Sequence, residues 1–216
     1  MASRDIHSRL LRRASKINVF VSDTLEQQLA AYYELLCRWN RKINLTSIDN
    51  VDEAIDRLLL EPLAALRHFP AGVRRLMDIG SGGGSPAIPF KLALPDVHLR
   101  MVEVKARKSA FLREAIRHLG LEGAEVENAR YEELLARPEL HEAHDLLSLR
   151  AVRVEGRVLT SLQAFLKPGG SVALFRGPEG PPAPGSIVPP LEWAGTYPLV
   201  ESLQSRVTFV TKRNIR

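Results

Sequence analysis

Cysteine is almost absent from this chain: Cys37 is the single one among 216 residues. No internal disulfide and no cysteine metal cluster can form, which suits a reducing cytosol. No apolar run approaches the ~20 residues needed to cross a bilayer, so a membrane span is not expected. The six histidines show no metal-ligand spacing with Cys or acids, and no Ser-His-Asp or Cys-His arrangement declares itself. What remains is ordinary: 45% hydrophobic and 25% charged residues, the composition of a globular protein. A net charge of +5 hints at a polyanionic partner, although charge alone says nothing about fold. Met1 to Phe20 is rich in Arg and Ser and poor in acids. It lacks a cleavage signal and is read as a basic helical arm.

One stretch organises the rest. Leu76-Met77-Asp78-Ile79 is an apolar run with an acid near its end, and Gly80-Ser81-Gly82-Gly83-Gly84-Ser85-Pro86 follows. Strand, glycine turn and helix start place bare backbone where a ligand can press against it. A P-loop needs Gly-Lys-Ser/Thr, which is missing, and the third glycine of a dinucleotide fingerprint would fall at Ser85. Gly80-x-Gly82-x-Gly84 after an acid is instead similar to the first motif of class I S-adenosylmethionine-dependent methyltransferases.

Ahead of this turn the chain reads as helical, giving an N-terminal extension over 1–72 and a second unit over 73–216. Ser22-Asp23 can cap a helix on which Leu25, Leu29, Tyr32, Tyr33, Leu36 and Trp39 share one face. A second helix is expected from Asp52 to His68, burying Ile55, Leu59, Leu63 and Leu66. Beyond Leu76, strands at 75–79, 98–104, 124–127, 145–149 and 171–175 alternate with helices near 86–93, 105–119, 131–136 and 153–166. That order predicts right-handed βαβ units around a parallel sheet. Lys167-Pro168-Gly169-Gly170 reads as a sharp turn, 191–199 and 206–211 as an antiparallel pair at the sheet edge, and Gly177 to Pro190 as a loop.

Ligands of such sheets sit at the carboxyl ends of the strands. Glu103 ends the second strand 23 positions after Gly80, where a carboxylate can accept from both hydroxyls of a ribose. Tyr131 and Glu132 follow the third strand, where an adenine edge can be held; an ordinary helix start accounts for them nearly as well. Arg150 and Arg176 end the fourth and fifth strands and read as phosphate or base anchors for nucleic acid, with a structural ion pair as the alternative. Lys212 and Arg213 add positive charge near the C-terminus.

With these residues assembled, the chain resembles the bacterial 16S ribosomal RNA guanine-N7 methyltransferases of the RsmG (GidB) family. The likeness runs from about residue 25 to 213. It rests on Trp39-Asn40 with Ile43-Asn44-Leu45-Thr46, on Asp78 through Pro89, on Lys108 with Phe111-Leu112, on Arg150-Ala151 and on Gly177. The resemblance implies a Rossmann-like sheet with an N-terminal helical extension, S-adenosylmethionine as methyl donor, and a guanine in the 530 loop of 16S rRNA as acceptor. It implies a substrate in the form of rRNA or a partly assembled small subunit, met by a cytoplasmic monomer. Carried over, cofactor contacts fall on Asp78, Gly80, Gly82, Ser85, Glu103, Tyr131, Glu132 and Arg150. Arg150, Asn40 and Asn44 are placed at the reacting base, and Arg176, Lys212 and Arg213 on the RNA. Three departures stand out. Leu58-Leu59-Leu60-Glu61-Pro62 replaces His-x-x-Asp-Ser, Leu149 replaces Ser, and Arg176 replaces Lys. They keep open a divergent RNA-binding paralogue with lost or altered activity.

Overall fold

The computed structural model describes residues 2–150, 156–177 and 187–214, with side chains from Asp5 onward. Ala151, Arg153 and most of the Pro/Gly-rich loop expected after Gly177 lie outside the described residues.

Seven strands form one sheet: β1 (Arg75–Ile79), β2 (His98–Val102), β3 (Ala124–Glu127), β4 (His144–Arg150), β5 (Leu166–Arg176), β6 (Leu191–Pro198) and β7 (Arg206–Lys212). Their order is β3-β2-β1-β4-β5-β7-β6. The first five run parallel, and β7 pairs antiparallel with both β5 and β6. Parallel strands are covered on both faces, and this explains their unbroken apolar runs. Alternate residues feed two cores. Leu76, Leu99, Met101, Leu146 and Ala173 point to one side, whereas Met77, Val102, Leu147, Leu149 and Val172 point to the other.

The N-terminal helices share the first of these cores. Ile6 and Leu10 of α1 (Ala2–Lys16) and Leu29, Tyr32 and Leu36 of α2 (Asp23–Asn40) join the same cluster as Leu76 and Phe90. Ser22 caps α2 by accepting from the Leu25 N–H at 3.3 Å. Part of the basic arm's charge is used within the protein. Arg9 and Arg13 of α1 pair with Asp52 and Asp56 of the next helical segment.

That next segment departs from the single helix expected over 52–68. It runs as α3 (Val51–Ile55), a π-helical turn (Asp56–Leu60), α4 (Glu61–Ala65) and a closing 3-10 turn (Leu66–His68). Pro62 is the cause: lacking an N–H, it cannot bond back to the turn before it. The Glu61 N–H instead reaches five residues back to the Asp56 carbonyl, leaving a carbonyl of the turn unclaimed. Helices α5 (Ala87–Ala93), α6 (Ala106–Leu119), α7 (Tyr131–Leu134) and α8 (Gly156–Leu162) complete the layers.

Lys167-Pro168-Gly169-Gly170 makes the expected sharp turn within the first residues of β5. None of the four pairs with β4 or β7, Leu166 standing opposite His144 and Ser171 opposite Leu146, and Gly169 takes a φ of 80°. The turn opens β5 through a register shift against β4, because a Cβ on Gly170 would sit 2.9 Å from the Lys167 carbonyl and 3.1 Å from that of Asp145. Backbone approaches backbone there, and only glycine fits.

Candidate functional site

The turn after β1 is built by backbone bonds to β2. The N–H groups of Gly80 and Ser81 both donate to the Val102 carbonyl, at 2.9 and 3.0 Å. Gly80, Gly82 and Gly84 take φ values of 78°, 52° and 90°, the left-handed region that favours glycine. At Gly84 there is also no room: an added Cβ would lie 2.4 Å from Ile88 Cδ1. At Gly82 it would meet only the Gly80 carbonyl at 3.7 Å and Lys108 Nζ at 4.0 Å, so this glycine faces open space under a lysine.

Glu103 locks that turn. Its Oε2 accepts from the Gly82 N–H at 2.9 Å and its Oε1 from the Lys105 N–H at 2.7 Å. Each oxygen keeps a further lone pair, so the residue can support the turn and still accept from a ligand hydroxyl. From the other side, the Tyr32 hydroxyl donates to the Gly83 carbonyl at 2.6 Å. Burial holds that phenol far above its ordinary pKa. The N-terminal helices therefore help to shape the turn itself.

Asp78, expected to touch the cofactor, lies beneath the turn at 1% exposure and is not part of the cleft wall. Ser148 Oγ donates to its Oδ1 at 2.5 Å, and burial pushes its carboxyl up to about 6. Its bond to Ser148 ties β1 to β4 beneath the turn.

Arg150 is held in a chain of contacts that begins at Pro62. The Leu58 carbonyl, four residues before that proline, is available to accept from Ser85 Oγ at 2.8 Å. Ser85 Oγ in turn accepts from Arg150 Nη1 at 2.8 Å. Arg150 Nη1 also lies 3.5 Å from Glu61 Oε2, and Arg57 Nη1 lies 3.4 Å from Glu61 Oε1. Burial lowers the guanidinium pKa of Arg150, while the Glu61 charge opposes that shift. Burial raises the pKa of Glu61, and Arg150 and Arg57 pull it back.

These groups surround one cleft of about 1280 Å³ at the carboxyl ends of the strands. Its lining includes Gly80, Gly82, Glu103, Lys105 and Lys108 from the turn and β2 side of the chain. It also includes Arg57, Leu58, Glu61, Arg150 and Arg176 from the helical segment and the ends of β4 and β5. Asn44 to Ile48 and Ser85 line it as well. Of the expected site residues, Gly80, Gly82, Ser85, Glu103, Asn44, Arg150 and Arg176 thus come together. Asn40 does not line the cleft. Its Oδ1 accepts from the Leu45 and Thr46 N–H groups at 2.8 and 3.0 Å, and its Nδ2 donates to the Thr46 carbonyl at 3.0 Å. It shapes the loop that presents Asn44. Tyr131 and Glu132 open α7 beyond β3 and also stand outside the cleft wall, with Tyr131 packed against the second core.

The C-terminal cations need correction. Because β7 is antiparallel, Lys212 and Arg213 lie at the amino end of the parallel strands, away from the cleft. Lys212 is buried, and its ammonium donates to Glu142, the Gln163 carbonyl and the Leu166 carbonyl at 2.9, 3.2 and 3.0 Å. Arg213 pairs with Glu192. The β7 residue at the cleft end is Arg206, which stands opposite Arg176 in the ladder and is exposed. Glu61, first noticed only as a departure from a family pattern, proves to be a second buried acid of the cleft in addition to Glu103. The signal was present in Pro62, a helix-interior proline beside a charged residue.

A seven-stranded sheet in this order, with its reversed β7 and a glycine turn after β1, defines the class I methyltransferase fold. Solved structures agree. A SAM-dependent methyltransferase from Aquifex aeolicus superimposes with a TM-score of 0.54 at 14% identity, covering 74% of this chain and 94% of that one. A MtNAS mutant in complex with S-adenosylmethionine gives 0.54 at 15% identity over 96% of this chain and 73% of that one.

The sequence narrows this further. Residues 25–182 match the family model described as rRNA small subunit methyltransferase G. Proteins named ribosomal RNA small subunit methyltransferase G match across most of their length. One from Neisseria meningitidis serogroup C is 33% identical over 181 residues, covering 80% of this chain and 81% of that protein. One from Xanthomonas axonopodis pv. citri is 37% identical over 149 residues, covering 69% and 68%. The chain belongs to the rRNA small subunit methyltransferase G family.

Proposed function

We propose that this protein transfers a methyl group from S-adenosylmethionine to N7 of a guanine in the 530 loop of 16S rRNA, within a small-subunit particle in the cytoplasm. The observation that carries this reading is the juxtaposition, in one cleft, of an open glycine turn clamped by Glu103 with a buried arginine–carboxylate pair. The residues fit the cofactor. Gly82 leaves free the space that a side chain would fill, Glu103 keeps lone pairs for ribose hydroxyls, and Lys108 supplies a cation above the turn for a carboxylate. When bound, S-adenosylmethionine supplies a sulfonium-activated methyl group.

The protein's own task is placement. Guanine N7 carries an in-plane lone pair and no proton, so no general base is needed. Arg150, fixed by Ser85 and facing Glu61, is set to orient the acceptor. Asn44 borders it, and Arg176 and Arg206 meet the RNA backbone at the rim. A base in a folded loop must be splayed out to enter such a cleft. Tyr131 and Glu132 remain assigned to the adenine edge, at the outer margin beyond β3.

The sequence departures do not empty the site. Leu149 packs in the second core, on the face opposite Arg150, so a leucine there removes nothing from the cleft. Leu58 contributes its carbonyl, which any residue would supply. The test is transfer of labelled methyl to small subunits from a strain lacking the modification, with calorimetry of S-adenosylmethionine binding. Transfer to those subunits and not to fully modified ones supports the assignment. RNA binding without cofactor heat or label transfer favours a paralogue that has lost catalysis.

A further inference from the structure

Three buried side-chain polar atoms among the described residues have no hydrogen-bond partner: Glu61 Oε2, Asp78 Oδ2 and Arg176 Nε. Buried polar groups in native proteins are almost always satisfied, so an orphan on a cleft wall is a bond left for a water or a ligand to complete. Asp78 stands outside the cleft, whereas Glu61 and Arg176 both line it. One is an acceptor and the other a donor.

The helical segment that carries Glu61 provides its own control. Asp56, at the start of the same π-helical turn, is a buried structural acid. Arg13 closes on it at 2.6 and 2.5 Å, and Ser202 Oγ donates to it at 2.9 Å. Both Asp56 oxygens are thus closed by a two-pronged arginine, the arrangement of a finished ion pair. Glu61, at 1% exposure, is buried as deeply. Arg57 donates to its Oε1 at a long 3.4 Å, Ser205 lies within hydrogen-bonding reach, and Arg150 stops at 3.5 Å. Oε2 has no hydrogen-bond partner among the described residues. The segment therefore holds one carboxylate satisfied by the protein and one left incomplete toward the cleft.

We propose that Glu61 selects the acceptor base by taking hydrogen bonds from the N1–H and 2-amino edge of guanine. The inference rests on the guanine-N7 reading above. Guanine presents two adjacent donors there, which a carboxylate matches. Adenine presents a bare N1 lone pair, which a carboxylate repels. Arg176, whose terminal nitrogens are the ones that meet the RNA backbone, supplies the opposite polarity at its buried Nε, a donor for a base carbonyl. The same bond gains strength during reaction. The N7 lone pair becomes the new N–C bond, the C–S pair stays on sulfur, and no proton leaves. Positive charge spreads through the purine, N1–H becomes a stronger donor, and the contact to Glu61 tightens. Glu61 is thus a specificity-determining residue that stabilises the product-like purine.

The test uses small subunits reconstituted with guanine or 2-aminopurine at the acceptor position. 2-Aminopurine keeps N7 and the amino group but has a bare N1 and no O6. The loss of the carbonyl contact is therefore common to all variants, and the part due to Glu61 is read from the change in preference between them. Two quantities are measured: affinity for the particle without methyl donor, and initial rate with it. The unchanged protein should favour guanine by roughly 30-fold in rate and should also bind it more tightly, the scale of one bidentate base-edge contact. In Glu61→Gln the amide can donate to a bare N1, and the preference should fall to within about 3-fold. Glu61→Asp keeps a carboxylate and should retain it. Thermal melting and S-adenosylmethionine calorimetry verify that the variants fold and bind cofactor. An undiminished preference in folded Glu61→Gln overturns the role of Glu61 alone, as does the absence of any preference in the unchanged protein, an arm that needs no variant. No methyl transfer to guanine by the unchanged protein overturns both the functional reading and this inference.

Discussion

The two ends of the parallel sheet carry similar basic residues put to opposite uses. At the amino end, each of Lys167, Lys212 and Arg213 has a carboxylate partner: Asp145, Glu142 and Glu192. At the carboxyl end, Lys105, Lys108, Arg176 and Arg206 have none among the described residues, and three of them line the cleft. Cations already paired stabilise the fold, while unpaired ones at the mouth of a cleft are available to an anion. Charge counted along the sequence cannot make this distinction, because strand direction decides which end a residue reaches.

The contrast can be broken experimentally. The largest effect is expected from Gly84→Val at the carboxyl end, where a branched side chain meets both Ile88 and an unfavourable φ. Stability should fall by more than about 3 kcal/mol, with loss of cofactor binding, read by urea denaturation and calorimetry. Arg150→Met leaves Glu61 buried without its nearest cation along β4. A loss of about 3 kcal/mol is expected together with loss of methyl transfer, and denaturation midpoints with label incorporation check it. At the amino end, Lys212→Met should cost about 2 kcal/mol, because the buried Leu166 carbonyl loses the ammonium and Gln163 and Glu142 lose a donor with it, yet RNA affinity should stay unchanged in filter binding. Arg206→Ala should do the reverse. Stability holds, while affinity for small-subunit RNA drops a few-fold and the slope of log affinity against log salt falls by about 1.

A subtler difference lies in acid response. Burial raises Asp78 at the carboxyl end to about 6, so its contribution favours the folded state at low pH and is lost as pH rises through about 6. Burial lowers His144 at the amino end to about 4, so its contribution is present above its ordinary 6.5 and is lost as pH falls through about 4. Between pH 6.5 and 4 the two oppose each other. Asp78→Asn should expose the histidine and steepen the loss of stability on acidification, and His144→Gln should flatten it. Melting temperatures across that window measure both.

Much of this organisation was legible in the sequence. Leu76 to Pro86 announced strand, turn and helix because glycine spacing and an apolar run are local signals. Glu103 and Arg150 followed from strand ends alone. Asp78 was legible as an acid in the right place but not as a buried one, since its neighbour Ser148 comes from β4, 70 residues away. Asn40 looked like a site residue because it sits beside Asn44, yet its amide is spent on its own loop. The π-helical turn was missed because apolar periodicity over 52–68 is helical throughout and hides the missing N–H of Pro62. Lys212 and Arg213 were misplaced for want of the direction of β7, which only the ladder with β5 reveals.

The most direct test of the central claim is nucleotide-resolution mapping of methylated bases in 16S rRNA after unmodified small subunits react with the protein and labelled S-adenosylmethionine. The account predicts one new N7-methylguanine, in the 530 loop, lost with Arg150→Met. Label on another atom or outside that loop, or a pattern unchanged by Arg150→Met, would contradict it.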